Sequence, residues 1–353
     1  MGLFDIFKKS APKVPKGFYT AKINITRLTA EAVEVALQPE DADFPTSFLP
    51  GQYVNIEVVV DGKTERRSYS LCNQEGKPFT LAIKAVAGGK VSNWFNQKAQ
   101  SGDTILISHA EGGFHLKNGE KNIVAIAAGS GITPILSIAR SLKPDEKMTL
   151  FFGNRSQKEA LYWSELNALN GVKMTSFFSR EKVEGAHEGR IDKNAFTEEI
   201  KKNIELLRAD VFLICGPSEM IEEVKSALTF FGVQKDKIRT ELFTPPTENV
   251  EEKKGSFSGT SKVKVILDGE LCNLEMQVPG NGKTVLEEID RAGLDAPFSC
   301  RGGVCSSCKA KVTEGEVMMR VNYSLTDEEV KKGYVLTCQC IPQSENVTIN
   351  FDA

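Results

Sequence analysis

Four cysteines near the carboxyl end of the chain stand at a spacing that suits metal ligation. Cys300, Cys305 and Cys308 form the pattern C-x4-C-x2-C, and Cys338 follows in a later segment. This is the ligand spacing of a plant-type 2Fe-2S cluster, which is held by four thiolates. Glycines between the first two cysteines allow the tight backbone curl that such a loop needs. The pattern predicts a one-electron carrier in this part of the chain.

A zinc site is the structural alternative, because four thiolates also suit tetrahedral zinc. Zinc ribbons usually pair two C-x2-C knuckles, and only one C-x2-C stands here. Residues from about Lys262 onward resemble a plant-type ferredoxin domain, and the resemblance implies a β-grasp fold. It also implies that Cys338 is the fourth ligand and that Cys340, two positions later, is a passenger thiol.

Length and composition indicate a multidomain globular chain. It has 353 residues, a formal net charge of -3 and eight cysteines. This length fits three domains, and the charge gives no electrostatic footprint for nucleic acid. The cysteines outside the metal pattern are scattered, which argues against a disulfide framework and suits a reducing cytoplasm. No apolar stretch is long enough to span a bilayer, so we expect no membrane span, and from the charge we expect no nucleic-acid partner.

The rhythm of apolar residues changes along the chain and divides it into segments. Short alternating runs separated by turns predict an antiparallel β-barrel over residues 17–115, with a tight hairpin at Asp61-Gly62 and one helix near 92–99. Strands alternating with helices predict a parallel α/β domain over 119–243. Residues 244–261 are rich in proline, charge, glycine and serine and predict a linker. The ferredoxin-like domain is then expected over 262–353.

A tetrapeptide at the end of a barrel strand points to a flavin. Arg67-Ser68-Tyr69-Ser70 resembles the R-x-Y-[ST] signature of the ferredoxin-NADP reductase superfamily. By that resemblance Arg67 binds the flavin pyrophosphate, Tyr69 lies against the isoalloxazine ring, and Ser70 hydrogen-bonds its reactive nitrogen as a catalytic residue. On its own, the tetrapeptide also fits a half-exposed strand of alternating residues.

Two further segments strengthen the flavin prediction. A glycine-rich segment before the barrel helix resembles the family's flavin-phosphate loop, and it contributes Gly89, Val91 and Ser92. Phe243, near the end of the α/β domain, stands where the family often has an aromatic residue beside the flavin, and a core role is the alternative. We expect FAD rather than FMN.

The α/β domain carries motifs for a pyridine nucleotide. The segment GSGITP follows an apolar strand and opens a helix, and its Gly129, Gly131 and Thr133 resemble the family's nicotinamide-nucleotide loop. Pro134 replaces the third glycine of the dinucleotide fingerprint, so a plain strand-to-helix turn is the alternative for this loop alone.

A second strand end supplies the predicted hydride site. Cys215-Gly216-Pro217 resembles the family's CGP motif, in which the cysteine packs near the reacting nicotinamide carbon, so Cys215 is the second predicted catalytic residue. A buried apolar cysteine is the structural alternative. At a third strand end, Arg155 and Ser156 suit a ribose 2'-phosphate, which favours NADPH over NADH.

The order of barrel, nucleotide domain, linker and ferredoxin resembles the reductase components of bacterial oxygenases, closest to those of phenylacetyl-CoA epoxidase and ketosteroid hydroxylases. The resemblance implies an enzyme that passes electrons from NAD(P)H through FAD and a 2Fe-2S cluster to a partner oxygenase. A stand-alone NAD(P)H diaphorase, ferric or ferredoxin-type reductase would share every motif. A metal-binding scaffold without flavin is the remaining alternative.

Overall fold

The structure is a computed structural model that describes residues 14–245, 255–279 and 282–353. The described chain forms one antiparallel β unit, one parallel α/β unit and one mixed β unit, in that order along the sequence. This is the fold class that the sequence predicts. None of the helices in these ranges combines the length and the apolar character that a bilayer crossing requires.

The first unit is a six-stranded barrel with one helix. Its strands run in the order β4-β3-β6-β1-β2-β5, and an antiparallel bridge between Leu71 and Leu81 joins the two ends of the sheet. The elements are β1 (Phe18–Thr29), β2 (Ala32–Pro39), β3 (Tyr53–Val60), β4 (Lys63–Ser70), β5 (Thr80–Lys84), α1 (Lys90–Gln97) and β6 (Thr104–Ser108).

The β3–β4 hairpin positions the predicted flavin tetrapeptide. Asp61 and Gly62 both have positive φ, at 50° and 76°, as the Asp-Gly sequence predicts for a two-residue primed turn. The turn sets the register in which Tyr53 pairs with Ser70 and Asn55 pairs with Ser68. The tetrapeptide is therefore the last part of β4, at the end of the hairpin far from the turn.

The second unit is an entirely parallel six-stranded sheet with helices on both faces. The strand order is β10-β9-β8-β7-β11-β12. Alternate residues of β7 and β11 enter two separate apolar clusters, one on each face of the sheet, which explains their nearly continuous apolar sequences. The elements are β7 (Asn122–Ala128), α2 (Ile132–Arg140), β8 (Lys147–Asn154), α3 (Trp163–Ala168), β9 (Val172–Phe178), β10 (His187–Glu188), α4 (Lys193–Lys202), β11 (Val211–Cys215), α5 (Ser218–Phe230) and β12 (Ile238–Glu241).

The third unit wraps a five-stranded mixed sheet, in the order β14-β13-β19-β15-β17, around a helix. A short β16-β18 pair flanks it. This arrangement is the predicted β-grasp. The elements are β13 (Gly259–Leu267), β14 (Glu270–Val278), α6 (Val285–Arg291), β15 (Lys309–Glu314), β16 (Val317–Met319), α7 (Asp327–Lys331), β17 (Tyr334–Leu336), β18 (Cys340–Pro342) and β19 (Asn346–Asn350).

The predicted linker over 244–261 overlaps the described chain only at its ends, since residues 246–254 lie outside the described residues. At its carboxyl end, β13 already begins at Gly259, three residues before the expected start of the ferredoxin domain. Ser261 is fully buried and its hydroxyl donates to the carbonyl of Ser344 at 2.8 Å, so polar residues that suggested a linker belong to the strand.

Candidate flavin, nucleotide and cluster sites

The two predicted flavin motifs meet through a shared acidic residue. Arg67 lies on β4, and its Nη2 is 3.1 Å from Oε2 of Glu65. Lys90, the first residue of α1, pairs with the other oxygen of the same carboxylate. The hydrogen bond from Lys90 holds the pKa of Glu65 below its usual range. The arginine and the glycine-rich loop therefore converge at one edge of the barrel.

The glycine-rich loop presents backbone amides rather than side chains. Gly89 is the N-cap of α1, and no side chain caps the amides of the first turn. The Ser92 hydroxyl accepts from the amide of Val86 at 3.3 Å, so it braces the loop while its own proton is available to donate. Val91 is buried in the barrel core, so only its backbone faces the loop. Free amides at a helix start suit a phosphate.

The aromatic residues of the predicted flavin site occupy different environments. Tyr69 is partly exposed and meets Phe95 edge to face, with ring centroids 6.4 Å apart. Phe243, just beyond β12, is 39% exposed. That exposure excludes the core role considered for Phe243 and leaves its ring free to contact a ligand.

The two predicted catalytic residues come together around a third residue that the motifs did not identify. The Ser70 Oγ at the end of β4 lies 3.3 Å from Oε2 of Glu241 at the end of β12. Cys215, fully buried at the end of β11, pairs in the sheet with Glu241, and this carboxylate contributes to raising the pKa of its thiol, although desolvation has the larger effect. Desolvation raises the pKa of Glu241 to about 8. A hydroxyl, a thiol and a carboxyl that holds a proton near neutral pH therefore lie together at the ends of β4, β11 and β12.

The nucleotide loops pack directly on one another. A side chain at Gly131 would overlap the carbonyl of Cys215, and one at Gly216 would crowd Ala128, so both glycines are needed for this close approach. The Thr133 hydroxyl donates to the Ser130 carbonyl at 3.0 Å and fixes the turn that opens α2. The motifs at the ends of β7 and β11 therefore form one surface.

The helices that follow these motifs begin without side-chain caps. The N-caps of α2 and α5 are Gly131 and Pro217, and neither supplies a capping oxygen. By contrast, Asp192, Thr284 and Thr326 cap α4, α6 and α7 with side-chain hydrogen bonds. Uncapped helix starts next to glycine loops fit the phosphates of a dinucleotide.

The carboxyl end of β8 holds buried polar atoms without protein partners. Asn154 Nδ2 and Ser156 Oγ are buried and make no hydrogen bond. Such atoms carry a desolvation cost that a ligand would relieve, and they lie where the sequence predicts the adenosine ribose. Arg155 is half-exposed, and its Nη1 is 3.9 Å from Glu31 and 4.0 Å from Glu159. The residues present therefore fit a nucleotide, with acidic groups beside the arginine.

The four predicted cluster ligands form two thiol pairs. The Cys300 and Cys305 thiols shift each other's pKa in opposite directions, lower for Cys300 and higher for Cys305, and the Cys308 and Cys338 thiols do the same, lower for Cys338 and higher for Cys308. Within the described residues, no set of three histidine, cysteine or acidic side chains is arranged around a single ion. Two pairs suit a cluster of two irons, whereas a zinc ion needs its four ligands around one centre. Cys340 is fully buried in the apolar core of this unit.

Amide groups surround the paired thiols. Gly302 N lies 3.3 Å from Cys300 Sγ, Cys300 N lies 3.4 Å from Cys305 Sγ, and Gln339 Nε2 lies 3.5 Å from Cys338 Sγ. The hydrogen bond from Cys305, together with backbone amides, lowers the pKa of Cys300 to about 6. Donors aimed at sulfur favour the thiolate, which is the form that binds iron.

Comparisons with known proteins agree with this division of sites. Family models match residues 23–116 as an oxidoreductase FAD-binding domain, 125–226 as an oxidoreductase NAD-binding domain, and 265–343 as a 2Fe-2S iron-sulfur cluster binding domain. One of the subunits of 1,2-phenylacetyl-CoA epoxidase from Escherichia coli is 32% identical over 340 residues, which cover 92% of this chain and 95% of that protein.

The chain belongs to the family of three-domain oxygenase reductases. The ferredoxin reductase component of 3-ketosteroid-9-alpha-monooxygenase from Mycobacterium tuberculosis is 28% identical and is covered to 98%, with 96% of this chain matched. In fold, the reductase resembles phthalate dioxygenase reductase, with a TM-score of 0.59 over 95% of this chain and 98% of that chain at 24% identity. The reductase is an oxidoreductase with domains for FAD, NAD(P)H and a 2Fe-2S cluster.

Proposed function

We propose that this reductase takes a hydride from NAD(P)H onto FAD and passes the electrons singly through its 2Fe-2S cluster to a partner oxygenase. A bound flavin supplies the conversion from two-electron to one-electron transfer. One contact carries the proposal above all: Ser68, within the flavin motif, and Ser299, next to cluster ligand Cys300, lie 2.9 Å apart between their Oγ atoms. The flavin strand and the cluster loop therefore adjoin in one chain.

The flavin is proposed to bind along the edge of the barrel where its motifs converge. Arg67 binds the pyrophosphate, with its guanidinium oriented by Glu65. Gly89 is the N-cap and its amide donates to the Val86 carbonyl, so the Val91 amide and the Ser92 hydroxyl are the groups that meet phosphate at the start of α1. The rings of Tyr69 and Phe243 lie against the isoalloxazine. The match to an FAD-binding family model favours FAD over FMN.

Hydride transfer is proposed to occur between the ends of β4, β11 and β12. Cys215 packs beside the nicotinamide, and Ser70 directs its hydroxyl to the reactive flavin nitrogen. Glu241 holds a proton within 3.3 Å of Ser70 Oγ, so it can exchange that proton with solvent through the serine. The loop residues Gly129, Gly131, Thr133, Gly216 and Pro217 hold the nucleotide in place.

The donor is proposed to be NADPH, with NADH as the weaker alternative. Arg155 supplies a cation for a 2'-phosphate, and the unpartnered hydroxyl of Ser156 supplies a donor beside it. Glu31 and Glu159 lie within 4.0 Å of the arginine. Their carboxylates partly offset its positive charge, which limits the preference for NADPH over NADH. At the other end of the electron path, Cys300, Cys305, Cys308 and Cys338 are the proposed ligands of the cluster.

The proposed partner is the oxygenase component of a multicomponent oxygenase, with phenylacetyl-CoA epoxidase as the first candidate. The names of the relatives in the epoxidase and the ketosteroid monooxygenase support this choice. Location in the cytoplasm is part of the proposal, because all eight cysteines are free thiols and suit a reducing compartment. The proposed domain limits are 17–115, 119–243 and 262–353, extended to Gly259 by β13.

A reconstituted system tests the proposed function. Purified oxygenase subunits of a phenylacetyl-CoA epoxidase are mixed with the holoprotein and NADPH, and epoxide formation is measured beside ferricyanide reduction, which needs only the flavin. We expect the wild type to support both reactions and Cys300→Ser to support only ferricyanide reduction. Turnover of ferricyanide without any oxygenase activity in the wild type would instead favour a stand-alone diaphorase.

A further inference from the structure

The cluster loop rests on the flavin strand through a small hydrogen-bonded junction. Asn55 on β3 is the cross-strand partner of Ser68 on β4, and its Oδ1 accepts from Ser68 Oγ at 2.7 Å. The same oxygen accepts from Ser307 Oγ at 3.0 Å. Ser68 in turn contacts Ser299 at 2.9 Å. We call these four residues, Asn55, Ser68, Ser299 and Ser307, the junction.

The junction residues of the ferredoxin domain are immediate neighbours of cluster ligands. Ser299 precedes Cys300, and Ser307 precedes Cys308. A third contact involves a ligand directly, because the Tyr53 hydroxyl donates to the carbonyl of Cys305. Tyr53 also pairs with Ser70 across the hairpin. Cys305 therefore contacts the β3–β4 hairpin directly. Cys300 and Cys308 are linked to it through the serines that precede them.

A buried arginine forms a second contact between the barrel and the ferredoxin domain, beside the junction. Arg66 is 6% exposed, pairs with Glu57 on the barrel, and places Nη2 2.9 and 3.1 Å from the two carboxylate oxygens of Asp295 on the ferredoxin domain. Its guanidinium lies 5.1 Å from the ring centre of Phe18 and 5.3 Å from that of Phe298. A buried arginine that contacts both carboxylate oxygens through one nitrogen and lies between two rings is a directional contact.

We propose that the junction and the Arg66–Asp295 pair are positioning elements for electron transfer inside the chain. They hold the cluster loop at a fixed separation from the flavin strand, and this separation sets the rate at which electrons leave the flavin. Electron tunnelling falls exponentially with distance, so a small displacement slows this step without touching hydride transfer. The inference rests on the proposed function, because it assigns residues to that function's second step.

Asp295 offers the cleanest change, because its side chain is 59% exposed and belongs to no predicted ligand motif. Asp295→Lys places a cation against Arg66 and opposes docking, whereas Asp295→Glu keeps the charge. Asn55→Ala removes the shared acceptor of the junction and tests the same idea from the barrel side. Glu345→Lys is the matched control, since it makes the same charge reversal at an exposed loop position of the ferredoxin domain.

The experiment is anaerobic stopped-flow reduction of the holoprotein by NADPH, in which flavin and cluster absorbance are followed separately. We expect flavin reduction to stay within about twofold of wild type in every variant, while cluster reduction slows by about tenfold or more in Asp295→Lys and Asn55→Ala. Asp295→Glu and Glu345→Lys should retain the wild-type rate of cluster reduction.

Two further readouts separate positioning from damage to the cluster. The cluster reduction potential should be unchanged in Asp295→Lys, while hydrogen exchange of the amides in β3, β4 and the cluster loop should increase. Wild-type cluster reduction in both Asp295→Lys and Asn55→Ala would overturn the inference, as would slowing that a shifted potential explains. Failure of NADPH to reduce the wild-type flavin would instead contradict the proposed function.

Discussion

Ser70 and Glu241 lie 3.3 Å apart between Oγ and Oε2, although one ends a barrel strand and the other ends the last strand of the nucleotide domain. The contact joins the flavin motif to the hydride site across a domain boundary. Burial in this position raises the pKa of the Glu241 carboxyl to about 8. A carboxyl with such a pKa can hold or release a proton near neutral pH, which is suited to acid-base work.

Replacing Glu241 should change how stability depends on pH. Between pH 4.5, the ordinary pKa of the carboxyl, and about 8, the folded chain holds a proton that the unfolded chain has released. Stability contributed by this group therefore falls as pH rises through that window. We expect Glu241→Gln to reduce the fall, as measured by the apparent melting temperature across the window.

The exposed Glu184 in the same domain provides the matched control for Glu241. Glu184→Gln should keep the wild-type slope. An identical slope for Glu241→Gln and wild type would show that the carboxyl is not protonated in the folded chain above its ordinary pKa.

The two nearby cysteines of the last ligand segment should respond differently to substitution. Cys338→Ser removes a thiolate that pairs with Cys308, so we expect loss of most iron-sulfur absorption. Cys340→Ser changes a buried core position and should leave the visible spectrum intact, with a stability loss of about 1 kcal/mol. Bleaching by Cys340→Ser but not by Cys338→Ser would exchange the roles of the two residues.

Arg155 should control the choice of pyridine nucleotide. A hydrogen bond to a charged group contributes about 1.5 to 3 kcal/mol, so Arg155→Ala should lower kcat/KM for NADPH by about tenfold to a hundredfold. The value for NADH should change by less than about twofold, because NADH lacks the phosphate. Glu31→Gln removes a carboxylate beside the arginine and should shift the preference toward NADPH.

Arg190 is an exposed arginine of the same domain that pairs with Glu219, so Arg190→Ala serves as the control for Arg155. If Arg155→Ala lowered kcat/KM equally for NADPH and NADH, the arginine would support nucleotide binding without distinguishing a 2'-phosphate from a 2'-hydroxyl.

A methyl group at Gly131 should disturb the nucleotide site alone. Its Cβ would overlap the carbonyl of Cys215, so the two loops must separate, at a typical overpacking cost of about 1–3 kcal/mol. We expect Gly131→Ala to raise KM for NADPH and slow hydride transfer while flavin content stays at the wild-type level. Gly113→Ala, where no atom lies within 4 Å of the added carbon, should behave as wild type.

Local patterns predicted the architecture because each depends on a short stretch of chain. Residues close together in sequence determine each of three features: the Asp61-Gly62 turn, the apolar strands β7 and β11, and the cysteine spacing. The barrel helix begins at Lys90, two residues before the expected start, since Gly89 serves as N-cap. The start of β13 at Gly259 was missed because small polar residues resemble a linker.

Contacts between domains left no comparable signature. Glu241 stands in the same short segment as Phe243, yet only the packing of two domains shows that it meets Ser70. The sequence places Asn154 beside Arg155 in the predicted nucleotide segment, but only the structure shows that its side-chain amide is buried without a partner. Arg66 immediately precedes the flavin arginine, and its role depends on Asp295, which is remote in sequence.

An anaerobic titration of the purified holoprotein with NADPH shows whether electrons pass from the flavin to the cluster within one chain. We expect one chain to contain FAD and a 2Fe-2S cluster, and NADPH to reduce the flavin first and the cluster afterwards. Removal of FAD should abolish cluster reduction, and its return should restore it. Protein that stays colourless after reconstitution with FAD, iron and sulfide, or a cluster that NADPH reduces without flavin, would show that no such electron path from flavin to cluster exists in this chain.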